Sequence, residues 1–145
     1  MSLFSSLSVS ASGMDAQRAR AELLVENLAN AETTRTPEGG PYRRKDVTFS
    51  SDPSVSSFAS ELGTAMGTGG TGVKVSSIMI DQREPEKRYL PGHPDADKEG
   101  YVAFPRINPA EDMVDLMGAT RSYQANVSAI TAVKDMIQRS LDILK

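Results

Sequence analysis

The sequence predicts a mainly α-helical protein with a small β-rich insert, in which long N- and C-terminal helices pair as an antiparallel coiled coil. Apolar residues recur at alternating spacings of three and four near both ends of the chain, a pattern that keeps one narrow helix face against a partner when helices supercoil. Residues 31–107 are instead rich in Gly, Pro, Ser and Thr. With 39% hydrophobic residues and no Trp among 145 residues, a large aromatic core is not available. We therefore divide the chain into an N-terminal helix (1–30), an insert (31–107) and a C-terminal helix (108–145).

The first helix is expected from Leu3 to about Ala29. It should end near Asn27 and Asn30, because asparagine can adopt the left-handed conformation that closes a helix. Serines at positions 2, 5, 6, 8, 10 and 12 are mediocre helix formers, so this end should stay frayed until a partner packs on it. The predicted contact stripe consists of Phe4, Leu7, Ala11, Met14, Arg18, Ala21, Val25 and Leu28.

The insert is expected to hold four short strands and one mobile segment. Apolar residues in strand-like runs predict strands at Tyr42 to Phe49, Gly72 to Ile80, Lys87 to Leu90 and Tyr101 to Phe104. Ser76 and Ser77 shift the alternation of the second strand by one residue, which indicates a β-bulge. The segment from Ser50 to Thr71 is low in complexity, and we expect it to be mobile.

The second helix has a well-marked predicted start. Asn108 is a preferred N-cap residue, Pro109 suits the first helical position, and the Glu111 carboxylate can reach back to the cap. At ~1.5 Å per residue, a helix from Pro109 to Lys145 would be roughly 55 Å long, too long for a domain of this size to enclose. Its contact stripe consists of Met113, Leu116, Thr120, Tyr123, Val127, Ile130, Lys134, Ile137, Leu141 and Leu144. Because further apolar residues lie beside this stripe, we expect both stripes to form subunit interfaces in an assembly.

Arg18 and Lys134 place a charge within the two predicted stripes. A charge within an interface penalises wrong partners, so we expect these residues to oppose premature self-association. In the alternative interpretation, both long side chains simply reach out of the stripe into solvent.

Composition and missing motifs argue against several classes of function. The net charge of −3 and the pI near 5.2 argue against nucleic-acid binding through a basic surface. The sequence contains no Cys, one His and no G-x-S-x-G motif, so no nucleophilic catalytic set is evident. We expect no enzymatic activity, cofactor, metal or small-molecule substrate. No apolar signal-peptide core is present, which predicts that any export proceeds without a cleavable signal.

One turn carries the only histidine together with two carboxylates. Its residues are Pro91, Gly92, His93, Pro94, Asp95, Ala96 and Asp97. Carboxylate oxygens at alternating positions, with an imidazole nitrogen beside them, could hold a divalent cation. Two prolines and a glycine also predict a rigid turn in which each aspartate accepts local N–H bonds. We favour the turn, because the sequence offers no further ligand set.

Five short sequence blocks follow one another along nearly the whole chain. They are Asn27-Leu28-Ala29-Asn30-Ala31 with Thr33-Thr34, Gly40-Pro41-Tyr42-Arg43, Pro91-Gly92-His93-Pro94-Asp95-Ala96, Gly100-Tyr101-Val102, and Arg121-Ser122-Tyr123-Gln124-Ala125-Asn126-Val127. Together and in this order, the blocks resemble those of the flagellar axial proteins, the family of rod and hook subunits. No such block occurs between Ser50 and Thr71.

The resemblance implies a structural subunit of the proximal rod of the bacterial flagellar basal body, which spans the periplasm. It implies that the paired terminal helices form an inner tube and that the insert forms an outer layer. The implied partners are copies of this chain, other rod proteins, the basal-body base below it and, in transit, the flagellar type III export apparatus. An alternative that the residues also allow is a small cytoplasmic coiled-coil binding module with a cation at His93, Asp95 and Asp97.

Overall fold

A computed structural model describes residues 3–52 and 72–143, with the side chains of residues 3, 4, 52 and 143 excepted. The elements are α1 (Leu3–Ala29), β1 (Lys45–Asp52), β2 (Gly72–Ile80), β3 (Glu86–Tyr89), β4 (Tyr101–Phe104) and α2 (Pro109–Ile143). β1 pairs with β2 and β3 with β4, each as a two-stranded antiparallel sheet. The mainly helical class with a small β insert is therefore confirmed. Neither described helix is apolar enough over a sufficient length to cross a membrane.

The two helices lie side by side and run in opposite directions. A Cβ atom placed on Gly13, in the first half of α1, would lie 3.1 Å from the Nδ2 atom of Asn126, in the second half of α2. Further along α1, an Arg20 guanidinium nitrogen lies 3.6 Å from a carboxylate oxygen of Asp115, which precedes Asn126 in α2. The order of these contacts makes the pairing antiparallel. That the pair supercoils as a coiled coil stays a prediction.

The face of α2 that packs against α1 differs from the predicted stripe at every second position. Met113, Val127 and Leu141 are 52%, 43% and 58% exposed, whereas Ala119 and Val133 are buried. These two buried residues immediately precede the stripe positions assigned to Thr120 and Lys134, which are exposed. The predicted stripe is thus wrong at those alternate positions as a description of the helix pair. Leu116, Ile130 and Ile137 are partly covered, as expected of the stripe.

The same displacement occurs on α1. Ala11, Arg18 and Val25 are exposed, while Leu7, Met14, Ala21 and Leu28 are partly covered. The Nε atom of Arg18 lies 2.9 Å from Glu22 on its own helix. Neither Arg18 nor Lys134 therefore interrupts the contact between the helices, and the expectation that both lie within it is wrong. Phe4 and Leu144 lie outside the described side chains.

Small residues explain the displacement. The buried positions include Ala16 and Ala119, and a Cβ atom on Gly13 would press tightly against the Asn126 side chain. Small residues let helix backbones approach closely, and the contact surface then includes positions to which a search for large apolar residues gives no weight. α1 also packs against the β1–β2 hairpin, so its covered surface is wider than one stripe.

The predicted β-bulge is confirmed in the β1–β2 hairpin. Thr48 pairs with Ser77 and Phe49 pairs with Val75, so Ser76 is the additional residue. β1 begins at Lys45 rather than at Tyr42, because the Tyr42 N–H bonds back to the Thr33 carbonyl and closes the preceding loop. Of the segment expected to be mobile, residues 50–52 belong to β1, and residues 53–71 lie outside the described residues.

The helix ends are fixed by asparagine side chains. At the start of α2, Asn108 Oδ1 accepts a hydrogen bond from the Ala110 N–H at 3.2 Å, which confirms the N-cap. At the end of α1, Asn30 Nδ2 donates to the Glu26 carbonyl at 2.9 Å. Among the described residues only glycines have positive φ, so the left-handed conformation expected of Asn27 or Asn30 is wrong.

The β3–β4 hairpin has a small core of its own. Val102 and Phe104 are buried, and the Phe104 ring centre lies 6.4 Å from that of His93 in the adjoining turn. β4 has its predicted bounds, and β3 starts one residue earlier than predicted, at Glu86. The chain from residue 105 then leads directly into α2.

Candidate functional site

Asn27, the first residue of the asparagine-rich block, joins α1 to β1. Its side chain is completely buried, and its carboxamide pairs with both main-chain groups of Lys45. Nδ2 donates to the Lys45 carbonyl at 2.8 Å, and Oδ1 accepts from the Lys45 N–H at 2.9 Å. The Tyr42 hydroxyl donates to the same Oδ1 at 3.0 Å. The amide thus takes the place of a neighbouring strand at the first residue of β1.

Arg44, the residue before Lys45, connects the same strand to α2. An Arg44 guanidinium nitrogen lies 3.0 Å from Oδ1 of Asp112, whose side chain is 0% exposed. Neither carboxylate oxygen of Asp112 has a well-directed hydrogen bond from the described residues. Burial raises the pKa of Asp112, the Arg44 charge opposes that shift, and the Asp46 carboxylate reinforces it. Arg44 is therefore the main compensation for a buried charge.

Lys45, the first residue of β1, and Arg44, the residue before it, are thus held by different helices. We call this set, Asn27, Tyr42, Arg44, Lys45 and Asp112, the junction. Lys45 also forms an ion pair between its Nζ atom and the Glu26 carboxylate. Burial, reinforced by the negative charge of Glu26, raises the pKa of Tyr42 to about 12. The hydroxyl therefore remains a donor to Asn27 at neutral pH.

The turn from Pro91 to Asp97 contains one of the sequence blocks and contacts the end of the first block, beyond α1. The Thr34 hydroxyl donates to Asp95 Oδ2 at 2.8 Å, and Arg35 Nε lies 3.4 Å from Asp95 Oδ1. His93 Nδ1 accepts the Asp95 N–H at 3.1 Å. The turn therefore docks on the segment that follows α1.

The second aspartate of the turn has different partners. Asp97 Oδ1 accepts the N–H groups of Glu99 and Tyr101, each at 2.9 Å, and the Tyr101 N–H is the main cause of a lowered pKa of Asp97. Across residues 3–52 and 72–143 no three acidic, His or Cys residues are grouped to hold a metal ion. The contacts are those of a rigid turn, which is the interpretation that we favoured from the sequence.

The last sequence block lies in the middle of α2, and its side chains point in different directions. Asn126 contacts Gly13 of α1, Arg121 is exposed, and Tyr123 is 40% exposed beside α1. Its members therefore do not form one cluster with the other blocks.

A large apolar surface remains uncovered on α2 and on β2. It includes large side chains that are more than a third exposed in the chain: Met113, Val114, Met117, Val127, Met136 and Leu141 on α2, and Val75, Ile78, Met79 and Ile80 on β2. Large apolar side chains that stay exposed repeatedly along one helix are typical of an interaction site.

Sequence reasoning missed the junction almost entirely. It assigned no contact to Asp112 or to Arg44. The available signal was position: Asp112 lies four residues before Leu116, so the two side chains share one side of α2, and that of Leu116 is partly covered. A carboxylate at such a position requires a buried cation.

Comparison with known proteins places the sequence in a family. A family model described as "Flagellar basal body rod FlgEFG protein C-terminal" matches residues 98–143. Flagellar basal-body rod protein FlgC of Bacillus subtilis (strain 168) is 45% identical, with 100% of both chains covered. The protein of the same name from Borreliella burgdorferi is 40% identical over 100% of this chain and 99% of that one, and that of Salmonella typhimurium is 38% identical over 99% and 98%. The chain therefore belongs to the family of the flagellar basal-body rod protein FlgC.

Proposed function

We propose that this chain is a subunit of the proximal flagellar rod that assembles helically through its terminal helices and transmits torque. Family membership supports the broader statement that it is a structural protein of the basal-body rod and assembles with other rod components. The finer statements are ours: copies of itself, other rod proteins and the basal-body base as neighbours, a position across the periplasm, and export by the flagellar type III apparatus without a cleavable signal. A structural role requires no catalysis, cofactor or metal.

The observation that supports assembly best is the apolar surface of α2. Met113, Val114 and Met117 are all more than half exposed over little more than one turn of the helix. Fully burying one such side chain contributes roughly 1.5–3 kcal/mol. Neighbouring subunits that cover this surface would therefore stabilise the assembly strongly.

The predicted interface residues divide into two groups in this proposal. Those that α1 and α2 already cover hold the helix pair together: Leu7, Met14, Ala21, Leu28, Leu116, Ile130 and Ile137. Those left exposed contact neighbouring subunits: Ala11, Val25, Met113, Tyr123, Val127 and Leu141. Torque would then pass between subunits through many small packing contacts, and the junction would keep the hairpin fixed to both helices while it does so.

A charge placed on the exposed surface tests the proposal. Met117→Glu introduces a carboxylate into the surface that we expect neighbours to cover, whereas Ser122→Glu adds the same charge at an exposed position about 140° further round α2. In cells that lack their own copy of the gene, we expect Met117→Glu to abolish swimming and to remove the chain from isolated basal bodies. The purified variant should unfold at the same urea concentration as the unmodified chain.

Two results would contradict the proposal. The unmodified chain could be missing from basal bodies, or Met117→Glu could swim and assemble normally. The Ser122→Glu chain shows how much a single added charge matters by itself.

A further inference from the structure

The hydrogen bonds at the two ends of the β1–β2 hairpin define which main-chain groups point away from the ladder. Both main-chain groups of Lys45 are bonded to Asn27, and the Arg44 carbonyl is bonded to the Asp81 N–H. Lys45 and its partner Ile80 are therefore a pair without mutual hydrogen bonds. At the other end, the Val73 N–H donates to Ser12 Oγ at 3.1 Å, so Val73 and its partner Ser51 are a pair of the same kind.

Alternation then assigns the outward groups along β1. The main-chain groups of residues two apart in a strand point in the same direction. Those of Val47 therefore point away from β2 like those of Lys45, and those of Phe49 do so like those of Ser51. The bulge lies on β2, so it does not interrupt the alternation along β1. β1 has no second neighbouring strand in the part of the chain that the structure describes. Asn27 satisfies the first outward residue, and no hydrogen bond from described residues reaches the outward main-chain groups of Val47, Phe49 and Ser51.

A groove of about 240 Å³ lies beside this free edge, between β1 and the two helices. Its apolar lining comes from Leu23 and Leu24 on α1 and from Val47 and Phe49 on β1. The other lining residues are Arg20, Lys45, Asp46 and Asp115, and their charges cancel. Arg20 and Asp115 also lie within 3.6 Å of each other. An uncharged chain segment with apolar side chains suits this groove, because its four charges cancel and four apolar residues line it.

We propose that the outer edge of β1, from Val47 to Ser51, binds an extended, uncharged segment of a neighbouring polypeptide as an additional strand. Main-chain hydrogen bonds to the outward residues hold such a segment, and one of its apolar side chains enters the groove. Exposed strand edges are usually protected, because unpaired N–H and C=O groups are templates for another chain. Among the residues that the structure describes, only the first outward residue is protected, by Asn27, which also sets where the added strand stops.

This proposal rests on the proposed function to the extent that the neighbour is another subunit of the rod. Single-residue amide hydrogen exchange, measured on the free chain and on purified basal bodies, tests it. In the free chain, the amides of Val47, Phe49 and Ser51 should exchange fast while those of Thr48 and Ser50 are protected by β2. In basal bodies, the three outward amides should slow at least tenfold, and the alternation should disappear.

Outward amides that stay fast in basal bodies, or that are already protected in the free chain, would overturn the proposal. If the chain is missing from basal bodies, the proposed function itself has failed, so the two failures are distinguishable.

Proline substitutions give an independent readout with a matched control. Ser51→Pro removes an outward N–H and leaves the ladder intact, whereas Ser50→Pro removes an N–H that is bonded to β2. We expect Ser51→Pro to keep the protected Thr48 amide in the free chain and to lower incorporation into basal bodies about fivefold, the effect of one net hydrogen bond. Ser50→Pro should lose the Thr48 protection. A Ser51→Pro chain with an intact hairpin and full incorporation would overturn the proposal, and loss of its Thr48 protection would do the same, because Ser51 would then face β2.

Discussion

Removing the guanidinium of Arg44 should destabilise the chain far more than neutralising its partner. In Arg44→Met the Asp112 carboxylate remains, 0% exposed and without a well-directed hydrogen bond. Breaking a buried ion pair by removing one partner typically costs about 3–5 kcal/mol, because it leaves a buried charge without compensation. In Asp112→Asn the buried charge itself is gone, and an exposed edge of the Arg44 side chain can still reach water or the Asp46 carboxylate, 3.4 Å away.

The pH limits how much free energy of unfolding Arg44→Met can lose. The stranded carboxyl can take up a proton, and each pH unit above its ordinary pKa of 3.8 makes this about 1.4 kcal/mol more costly. The penalty can therefore reach about 4 kcal/mol at pH 7 and less than about 2 kcal/mol at pH 5. Because the pKa of Asp112 is raised in the folded chain, its protonated form stabilises the fold. This stabilisation is complete below pH 3.8 and is lost as the pH rises through the folded-state pKa.

Urea unfolding of the full chain at pH 7 and pH 5, followed by circular dichroism, measures both effects. We expect Arg44→Met to lose most of its stability at pH 7 and to recover part of it at pH 5. We expect Asp112→Asn to change stability by at most about 1 kcal/mol at either pH. A loss for Asp112→Asn equal to that for Arg44→Met, or a penalty for Arg44→Met that does not shrink in acid, would refute the reasoning.

Four further predictions concern the junction, the turn and α2. Asn27→Ala should cost about 3 kcal/mol, because it leaves two buried main-chain groups of β1 unpaired, whereas Tyr42→Phe should cost about 1 kcal/mol; urea unfolding compares them. Tyr42 should ionise with a pKa of about 12, measured as the difference in absorbance at 295 nm between the unmodified chain and Tyr42→Phe. The stability that the protonated Tyr42 hydroxyl contributes should be lost as the pH rises from 10 to 12. Calorimetric titration of calcium, magnesium and zinc should show no saturable binding that the double variant Asp95→Ala, Asp97→Ala removes. Val127→Pro should abolish basal-body assembly, since proline costs ~3 kcal/mol or more inside a helix, while Val127→Ala should assemble.

Local signals in the sequence are sufficient for the bounds of several elements. α1, β2 and β4 have their predicted ends, and the Asn108 cap marks the start of α2. The bulge at Ser76 follows from two adjacent serines that interrupt an alternating strand. These features depend on a few neighbouring residues, whose preferences agree with the final structure.

Long-range contacts decide what the sequence does not reveal. Ala119 and Val133 are buried, and Val127 is not, because the rotation of α2 depends on where Gly13 admits Asn126 and where Arg44 holds Asp112. Single-helix periodicity contains neither distance. The role of Asn27 in binding β1 likewise requires knowing that Lys45 returns to the end of α1.

The central claim is that neighbouring subunits in the rod cover the exposed apolar surface of α2. Because the sequence has no Cys, a single Met117→Cys substitution provides a unique reactive thiol, and Glu99→Cys provides a control in the insert. The rate of maleimide labelling at each thiol is compared between the free chain and purified basal bodies. The account predicts that labelling at position 117 slows at least tenfold on assembly, and more than labelling at position 99. Equal labelling at position 117 in both states would contradict it.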